Sequence, residues 1–188
     1  MKPNVMGRFL MAAALLAGAG VAAAADKNDA AKFPSDAALI QGVRHAIVMY
    51  PRYSIFDDVN FQVENGAVRL NGVVTQPFKK SDIDKIVRNV AGANQVQDDI
   101  RVLPLSPNDE RLRQRVARAI YADPSMTKYA IQAMKPIHVI AENGHVTLDG
   151  VVATGFDKQI AGTRAAGVGM SFGPIVNNLQ VENPAKKS

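Results

Sequence analysis

Hydrophobic and polar residues alternate along two separate stretches of the chain, and the same two-residue turn interrupts each alternation. In the first stretch Val59, Phe61 and Val63 alternate with polar residues before Asn65-Gly66, and the second stretch surrounds Asn143-Gly144. An alternation with a period of two is typical of a half-buried strand. Asn-Gly tolerates the positive φ angles of a type I′ turn, so the pattern predicts two β-hairpins.

A helix is predicted on each side of the first hairpin. Pro34-Ser35-Asp36 precedes an apolar stripe with helical spacing, and Pro51 ends that stripe. After the hairpin, the apolar spacing predicts a second helix over 79–90, and a closing strand follows over 96–102. The predicted order is helix, strand, strand, helix, strand.

The same order recurs further along the chain. Asn108 or Asp109 is the expected cap of a helix that stops at Asp123-Pro124, ahead of the second hairpin. The motif Glu-Asn-Gly-x-Val-x-Leu-x-Gly-Val-Val starts at Glu64 and recurs at Glu142. Along the chain, the spacing from the first helix of copy one to the first helix of copy two is shorter than the spacing between the two hairpins. The second copy has therefore gained five residues between its helix and its hairpin. The chain is therefore a tandem repeat.

The repeat predicts an α+β protein built from two modules. We assign residues 34–104 to module one and residues 107–182 to module two. In each module, two helices are expected to pack on one face of a three-stranded mixed sheet, whose last strand lies parallel to a hairpin strand. Modules of about 70 residues are close to the lower limit for a self-sufficient core, so we expect them to pack on each other or on a partner.

Two segments of each module resemble a known family. They are the hairpin motif, at 65–74 and 143–152, and the closing segment, at 96–100 and 175–179. The pattern resembles the BON domain family, and the pair of modules resembles that family's osmotically inducible periplasmic proteins. The resemblance implies a non-enzymatic protein that binds phospholipid or membrane surfaces and supports the cell envelope under stress. The structural residues of the hairpin motif are Asn65, Gly66, Gly72, Asn143, Gly144 and Gly150.

The N-terminal residues are typical of an export signal. Lys2 and Arg8 supply positive charge, an apolar run follows, and small alanines up to Ala25 offer a cleavage site. We therefore expect a signal peptide over 1–25, export to the periplasm, and flexible segments over 26–33 and 183–188. The chain has no cysteine, which excludes a lipid attached through cysteine, disulfides and thiol catalysis.

The sequence contains no recognisable catalytic or metal-binding motif. It lacks a Gly-x-Ser-x-Gly nucleophile and any carboxylate pair spaced to share a proton, so we expect neither an enzyme nor a cofactor. In the second hairpin His138 faces Asp149 and His145 faces Glu142. His138 and Glu142 are about 13 Å apart along a strand, which is too far for one metal ion held by bonds of about 2 Å.

A cluster of arginines occurs only in module two, on its first helix. Three of them, Arg111, Arg115 and Arg118, lie within about 60° of one another beside the apolar stripe. The cluster consists of Arg111, Arg113, Arg115 and Arg118. Guanidinium groups match phosphate oxygens bidentately, and each basic residue near an anionic membrane contributes about 1 kcal/mol. The cluster therefore predicts binding to anionic phospholipid, although such charges are also typical of a solvated helix face.

An apolar connection follows this helix and contains the five-residue expansion. Its candidate lipid-contacting residues are Met126, Tyr129 and Ile131. A basic ridge beside apolar residues is what an interfacial binder needs, because charge attracts it to the membrane and apolar groups insert. The alternative is that these residues fill the interface between the two modules, since exposed apolar patches are rare on monomers.

Two other functions remain open at the level of sequence. The modules could recruit an envelope protein through exposed sheet faces or edges. A small-solute or potassium sensor is the other alternative, although the sequence shows no pocket rich in carboxylates or carbonyls. Nucleic acid is not an expected partner, because the chain without residues 1–25 has 20 basic and 17 acidic side chains and a formal net charge of only +3. The oligomeric state stays open.

Overall fold

A computed structural model describes residues 35–90, 92–93, 95–169 and 171–182. The predicted signal peptide, the segment 26–33 and the tail 183–188 lie outside the described residues. Module one contains five elements in the expected order: α1 (Asp36–Val48), β1 (Asp58–Glu64), β2 (Ala67–Val74), α2 (Pro77–Arg88) and β3 (Gln95–Val102). Helix α2 begins two residues earlier than predicted, because the fixed φ angle of Pro77 suits the first helical turn.

The sheet of module one is mixed, as predicted. Strand β1 pairs antiparallel with β2, and β2 pairs parallel with β3, so the order is β1-β2-β3. The apolar residues of the sheet meet those of α1 and α2 in one core, which includes Leu39, Leu70, Ile83 and Ile100. Both outer strands have one free edge, and the edge of β1 becomes important below.

Module two repeats this order with additions. Its elements are α3 (Pro107–Tyr121), a short 3₁₀ helix (Pro124–Met126), α4 (Thr127–Ala130), β4 (Ile137–Glu142), β5 (His145–Val152), α5 (Gly155–Ala166), β6 (Val176–Asn177) and β7 (Gln180–Val181). The connection that contains the five-residue expansion thus forms the short helices ahead of β4. The closing strand is divided into β6 and β7, and each pairs parallel with β5. The chain is an α+β protein with two mixed sheets, which confirms the predicted fold class.

Both hairpin turns have the predicted geometry. Asn65 and Gly66 have φ angles of 50° and 78°, and Asn143 and Gly144 have φ angles of 53° and 78°. Such positive values at both central positions are those that a type I′ turn requires. The hairpin registers follow, with Glu142 opposite His145 and His138 opposite Asp149.

A helix-borne aspartate holds each of these turns from outside the hairpin. In module one, Asp36 accepts hydrogen bonds from the backbone N–H groups of Asn65 and Gly66 at 2.9 and 2.8 Å. In module two, Asp109 accepts the equivalent bonds from Asn143 and Gly144 at 3.0 and 2.7 Å. Each first helix is therefore fastened to the tip of the hairpin that follows it.

The observed cap of α3 corrects the sequence prediction. Neither Asn108 nor Asp109 caps this helix; the side chain of Ser106 accepts from the N–H of Asp109, and Pro107 occupies the first helical position. Helix α1 starts in the same way, with Ser35 as its cap. Asp109 was an attractive cap by residue type, but its carboxylate is committed to the hairpin turn and is buried.

The two modules pack on each other. The turn before β1 places Ile55 and Phe56 against the core of module two. The carbonyl of Ile55 accepts a hydrogen bond of 2.7 Å from the N–H of Val139, on the outer edge of β4. An exposed ion pair of 3.2 Å joins Arg101 to Glu142. One of the two arrangements expected for such small modules is therefore observed.

Candidate functional site

The predicted lipid-binding arginines lie on α3, and three of the four are exposed. Leu112, Val116 and Ile120 are buried in the core, whereas Arg111, Arg115 and Arg118 are exposed to solvent. We call these three arginines the arginine ridge. From its first to its last residue the ridge extends about 10 Å along the helix, at ~1.5 Å per residue.

The acidic side chains of α3 are engaged away from the ridge. Asp109 holds the hairpin turn, and Glu110 forms an ion pair of 3.3 Å with Arg113 and accepts a hydrogen bond of 2.7 Å from Gln114. In the ridge itself, the Nε of Arg111 donates to the carbonyl of Pro107. The exposed side of α3 therefore presents three guanidinium groups, while both acidic side chains of the helix have partners of their own.

The structure corrects the prediction for Arg113. Its side chain is buried, only 3% exposed, and Nη2 donates to the carbonyl of Ala141 on β4 at 3.4 Å. At 100° per residue Arg113 lies about 20° from Ile120 around the helix, so it belongs to the buried face rather than to the solvent side. It joins α3 to the sheet and is not available to a phosphate in this conformation.

Met126 and Tyr129 are also placed differently from the prediction. Both are buried in the core of module two, at 0% and 4% exposure, and so cannot contact acyl chains as predicted. Met126 and Tyr129 belong to the same core against which Ile55 and Phe56 of module one pack. The connection that contains the five-residue expansion thus contributes buried side chains to the core of its own module. Ile131 is the exception, because its side chain is 79% exposed.

A buried polar cluster explains why Tyr129 points inward. Its hydroxyl accepts from the N–H of Ala153 at 2.7 Å and donates to Asp157 at 2.9 Å. Asp157 also accepts from Lys128 at 2.8 Å and from Thr154. Burial alone would raise the pKa of Asp157, but the hydrogen bonds from Lys128, Thr154 and Tyr129 outweigh burial and hold that pKa below its usual value.

Module one has a corresponding cluster with the charges exchanged. Asp57 is fully buried and accepts hydrogen bonds from Ser54, Thr75 and, at 2.6 Å, from the ammonium of Lys79. Burial favours the neutral acid, yet these hydrogen bonds hold the pKa of Asp57 below its usual value. The acid therefore lies before β1 in module one and on α5 in module two.

The predicted motif residues have structural roles. The four turn residues are held by Asp36 and Asp109, as described above. Gly72 and Gly150 have φ angles of 120° and 122°, and a Cβ atom at either would collide with a backbone carbonyl, that of Asp58 at the start of β1 or that of Pro136 just before β4. Only glycine allows the two hairpin strands to approach this closely. These residues shape the scaffold rather than a binding site.

Sequence reasoning missed several residues with defined roles. They are Asp36 and Asp109 at the turns, and the paired groups of the two polar clusters, Asp57, Lys79, Lys128 and Asp157. One signal was available in the repeat itself, since Lys79 aligns with Asp157 when the two hairpin motifs are superimposed. When a buried lysine in one copy aligns with an aspartate in the other, the charged partner of that position should also change sign between the copies.

The described part of the chain offers neither a metal-binding cluster nor a membrane-spanning helix. No group of three or more histidine and acidic side chains among the described residues could hold a metal ion. None of the described helices combines the length and the apolar character needed to cross a membrane.

Comparison with solved structures gives only distant similarity. The C-terminal domain of CdsD, a structural protein of the type III secretion system of Chlamydia trachomatis, is 20% identical, with a TM-score of 0.29 over 77% of this chain and 64% of that one. A second structure of CdsD is 21% identical and has the same TM-score. That match covers 77% of this chain and 61% of the other. The chain thus spans less than two thirds of either structure, and the similarity carries no functional conclusion.

Comparison with family models is more informative. No curated protein matches the sequence. The model of the BON domain, however, matches residues 35–104 and again residues 108–183. This family is generally non-catalytic, and the paired domains suggest a non-enzymatic protein associated with the cell envelope. The matched regions cover most of the chain and coincide with two modules of the expected fold, so the chain belongs to the BON domain family.

Proposed function

We propose that this chain is a non-enzymatic periplasmic protein that binds anionic phospholipid surfaces through module two and helps to maintain the envelope under stress. The observation that carries the proposal is the arginine ridge. Arg111, Arg115 and Arg118 are exposed together along one side of α3, while the apolar stripe of the same helix is buried. The export pattern of residues 1–25 supports the proposed compartment.

The mode of binding that follows is mainly electrostatic. Three guanidinium groups near an anionic surface contribute about 3 kcal/mol in total. Ile131 follows α4, which packs on α3, and it offers one exposed apolar side chain to the interface. With Met126 and Tyr129 buried, the apolar contribution is smaller than the sequence predicted. The complex should therefore be weak and sensitive to salt.

Vesicle co-sedimentation tests this proposal. The protein should sediment with phosphatidylglycerol or cardiolipin vesicles at low salt, stay in the supernatant with phosphatidylcholine vesicles, and dissociate as salt is raised. Changing Arg111, Arg115 and Arg118 together to glutamate should weaken binding at least about a hundredfold, because the loss of about 3 kcal/mol corresponds to that factor.

A matched control separates the ridge from net charge. Arg52, Arg69 and Lys85 are exposed residues of module one, and changing them to glutamate alters the net charge by the same amount. This control variant should bind the vesicles almost as well as the unchanged protein. Equal losses in the two variants, or equal binding to neutral vesicles, would contradict the proposal.

A further inference from the structure

Strands β1 and β4 each lie at the edge of a sheet, with one side unpaired within that sheet. In module two, backbone from module one is hydrogen-bonded to this side. Strand β4 lies at the edge of its sheet. The N–H of Val139 points away from β5 and donates to the carbonyl of Ile55, at 2.7 Å. Backbone from outside the sheet thus adds to the edge of β4, which is the contact that peptides make when they extend a sheet.

The equivalent position in module one lacks such a partner. Phe61 aligns with Val139 in the repeat and lies on the corresponding edge strand, β1. The N–H of Val59 donates to the hydroxyl of Tyr53, so the odd-numbered residues of β1 direct their backbone groups away from β2. Within the described part of the chain, the outward N–H groups of Phe61 and Val63 have no hydrogen-bond partner. The outward edge of β1 is therefore available to pair with a further strand.

A groove of about 900 Å³ runs along this open edge. One side is formed by β1 and α1, with Ile40 and Val48, and the opposite side by module two, with Met134 and Val151. The six residues of β1 that line the groove, at ~3.3 Å each, give it a length of about 20 Å. A single extended chain fits such a site, whereas a further layer of folded protein would collide with module two.

The groove also has a place for a positive side chain. Asp58 and Asp149 both line it, one from each module. Burial raises the pKa of Asp58 and the negative charge of Asp149 raises it further, whereas the interaction with His138 and the hydrogen bond from Asn60 lower it. The two carboxylates repel each other, and a cation between them would relieve the repulsion that His138 leaves. Arg44, Lys135 and His138 also line the groove, so one basic side chain fits better than a run of them.

We propose that this groove binds an extended polypeptide segment of a partner protein, which adds to β1 as a further strand and places one lysine or arginine side chain between Asp58 and Asp149. Its backbone carbonyl accepts from the N–H of Phe61, as the carbonyl of Ile55 does from Val139. The apolar side chains of the segment alternate and contact α1 and module two. The site is separate from the arginine ridge and independent of lipid binding.

Nuclear magnetic resonance with designed peptides tests the proposal. The probe is a ten-residue peptide in which valine alternates with threonine and one central threonine is replaced by lysine; a matched peptide carries glutamate at that position. Addition of the lysine peptide to the full chain should shift the amide signals of Phe61 and Val63 and slow their hydrogen exchange. The glutamate peptide should bind about fivefold more weakly.

Variants of the chain identify the two contacts separately. Phe61→Pro removes the outward N–H and should abolish binding of both peptides; proline is tolerated on edge strands, and far-UV circular dichroism checks the fold. Asp149→Asn keeps the edge and should remove most of the preference for lysine over glutamate. The control Arg118→Glu, on the ridge, should bind the peptides unchanged.

Three results would overturn the proposal. They are the absence of any amide shift at millimolar peptide, shifts confined to residues outside the groove, and unchanged binding by a folded Phe61→Pro variant. An equal affinity for the lysine and glutamate peptides would remove the role assigned to Asp58 and Asp149.

Discussion

The two modules use the same ion pair in opposite orientations. In module one the acid, Asp57, precedes β1 and the base, Lys79, lies on α2, with 2.6 Å between them. In module two the base, Lys128, precedes β4 and the acid, Asp157, lies on α5, at 2.8 Å. Lys79 and Asp157 occupy equivalent positions of the repeat. The fold therefore accepts either orientation of the pair between the connection that follows the first helix and the second helix.

The two pairs also differ in their contact with water. The side chain of Lys79 is 9% exposed, whereas that of Lys128 is 49% exposed. A buried cation depends on its partner, because it cannot regain hydration when the partner is removed. A half-exposed cation can turn to solvent. The lysine of the pair is thus less dependent on its partner in module two than in module one. In module two the hydroxyl of Tyr129, and not the acid of the pair, accepts the hydrogen bond from the backbone N–H of Ala153.

The largest expected effect comes from removing the acid of each pair. Asp57→Ala leaves Lys79 charged and buried, and should lower the free energy of unfolding of module one by about 3–5 kcal/mol. Asp157→Ala leaves Lys128 free to enter water and should cost module two about 1–3 kcal/mol, mainly through the lost hydrogen bonds. Urea unfolding followed by far-UV circular dichroism measures both values.

A double substitution serves as the control for this comparison. Asp57→Ala combined with Lys79→Met removes both charges, and it should recover a large part of the loss caused by Asp57→Ala alone. An equal loss in the single and the double variants would show that the charge of Lys79 has no role. Equal losses for Asp57→Ala and Asp157→Ala would contradict the proposed difference in hydration.

A smaller difference is expected at the two turn-holding aspartates. Asp109 is buried and Asp36 is partly exposed, although both accept bonds from two turn N–H groups. Asp109→Ala should therefore cost about 2–3 kcal/mol, because buried donors lose their partner, and Asp36→Ala about 1 kcal/mol, because water can replace the carboxylate. Hydrogen exchange at the two Asn-Gly turns should rise accordingly, and a larger effect for Asp36→Ala would contradict this prediction.

The smallest expected effect is on the response to acid. The folded-state pKa values of Asp57 and Asp157 lie below the ordinary value of 3.8, so both groups stabilise the fold above that pH. This stabilisation is lost as pH falls below about 3.8 through the lowered values. Lys128→Met removes the strongest pKa-lowering contact of Asp157 and should flatten the acid loss in module two.

Thermal unfolding between pH 2 and pH 6 measures this effect. The exposed Lys85→Met substitution is the control and should leave the pH dependence unchanged. A Lys128→Met variant that lost stability with acid as steeply as the unchanged protein would contradict the assignment.

The sequence predicted the hairpins and the ridge because both depend on local spacing. Alternation around Asn65-Gly66 determines which side chains face the core, and the 3.6-residue period of α3 places Arg118 and Ile120 on opposite sides of the helix. Both patterns depend only on residues that are close together in the sequence. The parallel closing strand also followed, because connections through a helix leave few alternatives.

The errors concern side chains whose environment comes from distant segments. Arg113 lies on the buried face of α3, and whether a guanidinium there finds a partner depends on the carbonyl of Ala141 on β4, far along the chain. Met126 and Tyr129 are apolar in character, but whether they face lipid or their own core depends on how the expanded connection folds back. Asp109 has the residue type of a cap, yet a turn far along the chain competes for its carboxylate.

The exchanged ion pairs have a consequence for the genetics of the duplication. Tandem repeats that stay alike tend to be lost by recombination, which fuses the first half of one copy to the second half of the next. A fusion of this kind between β2 and α5 would combine Asp57 with Asp157 and discard both lysines. The hybrid would contain two acids around a site built for one acid and one base. Reversing the polarity of one pair has thus made the two copies incompatible with each other's halves, and a gene shortened in this way would encode a domain with two buried acids and no base between them.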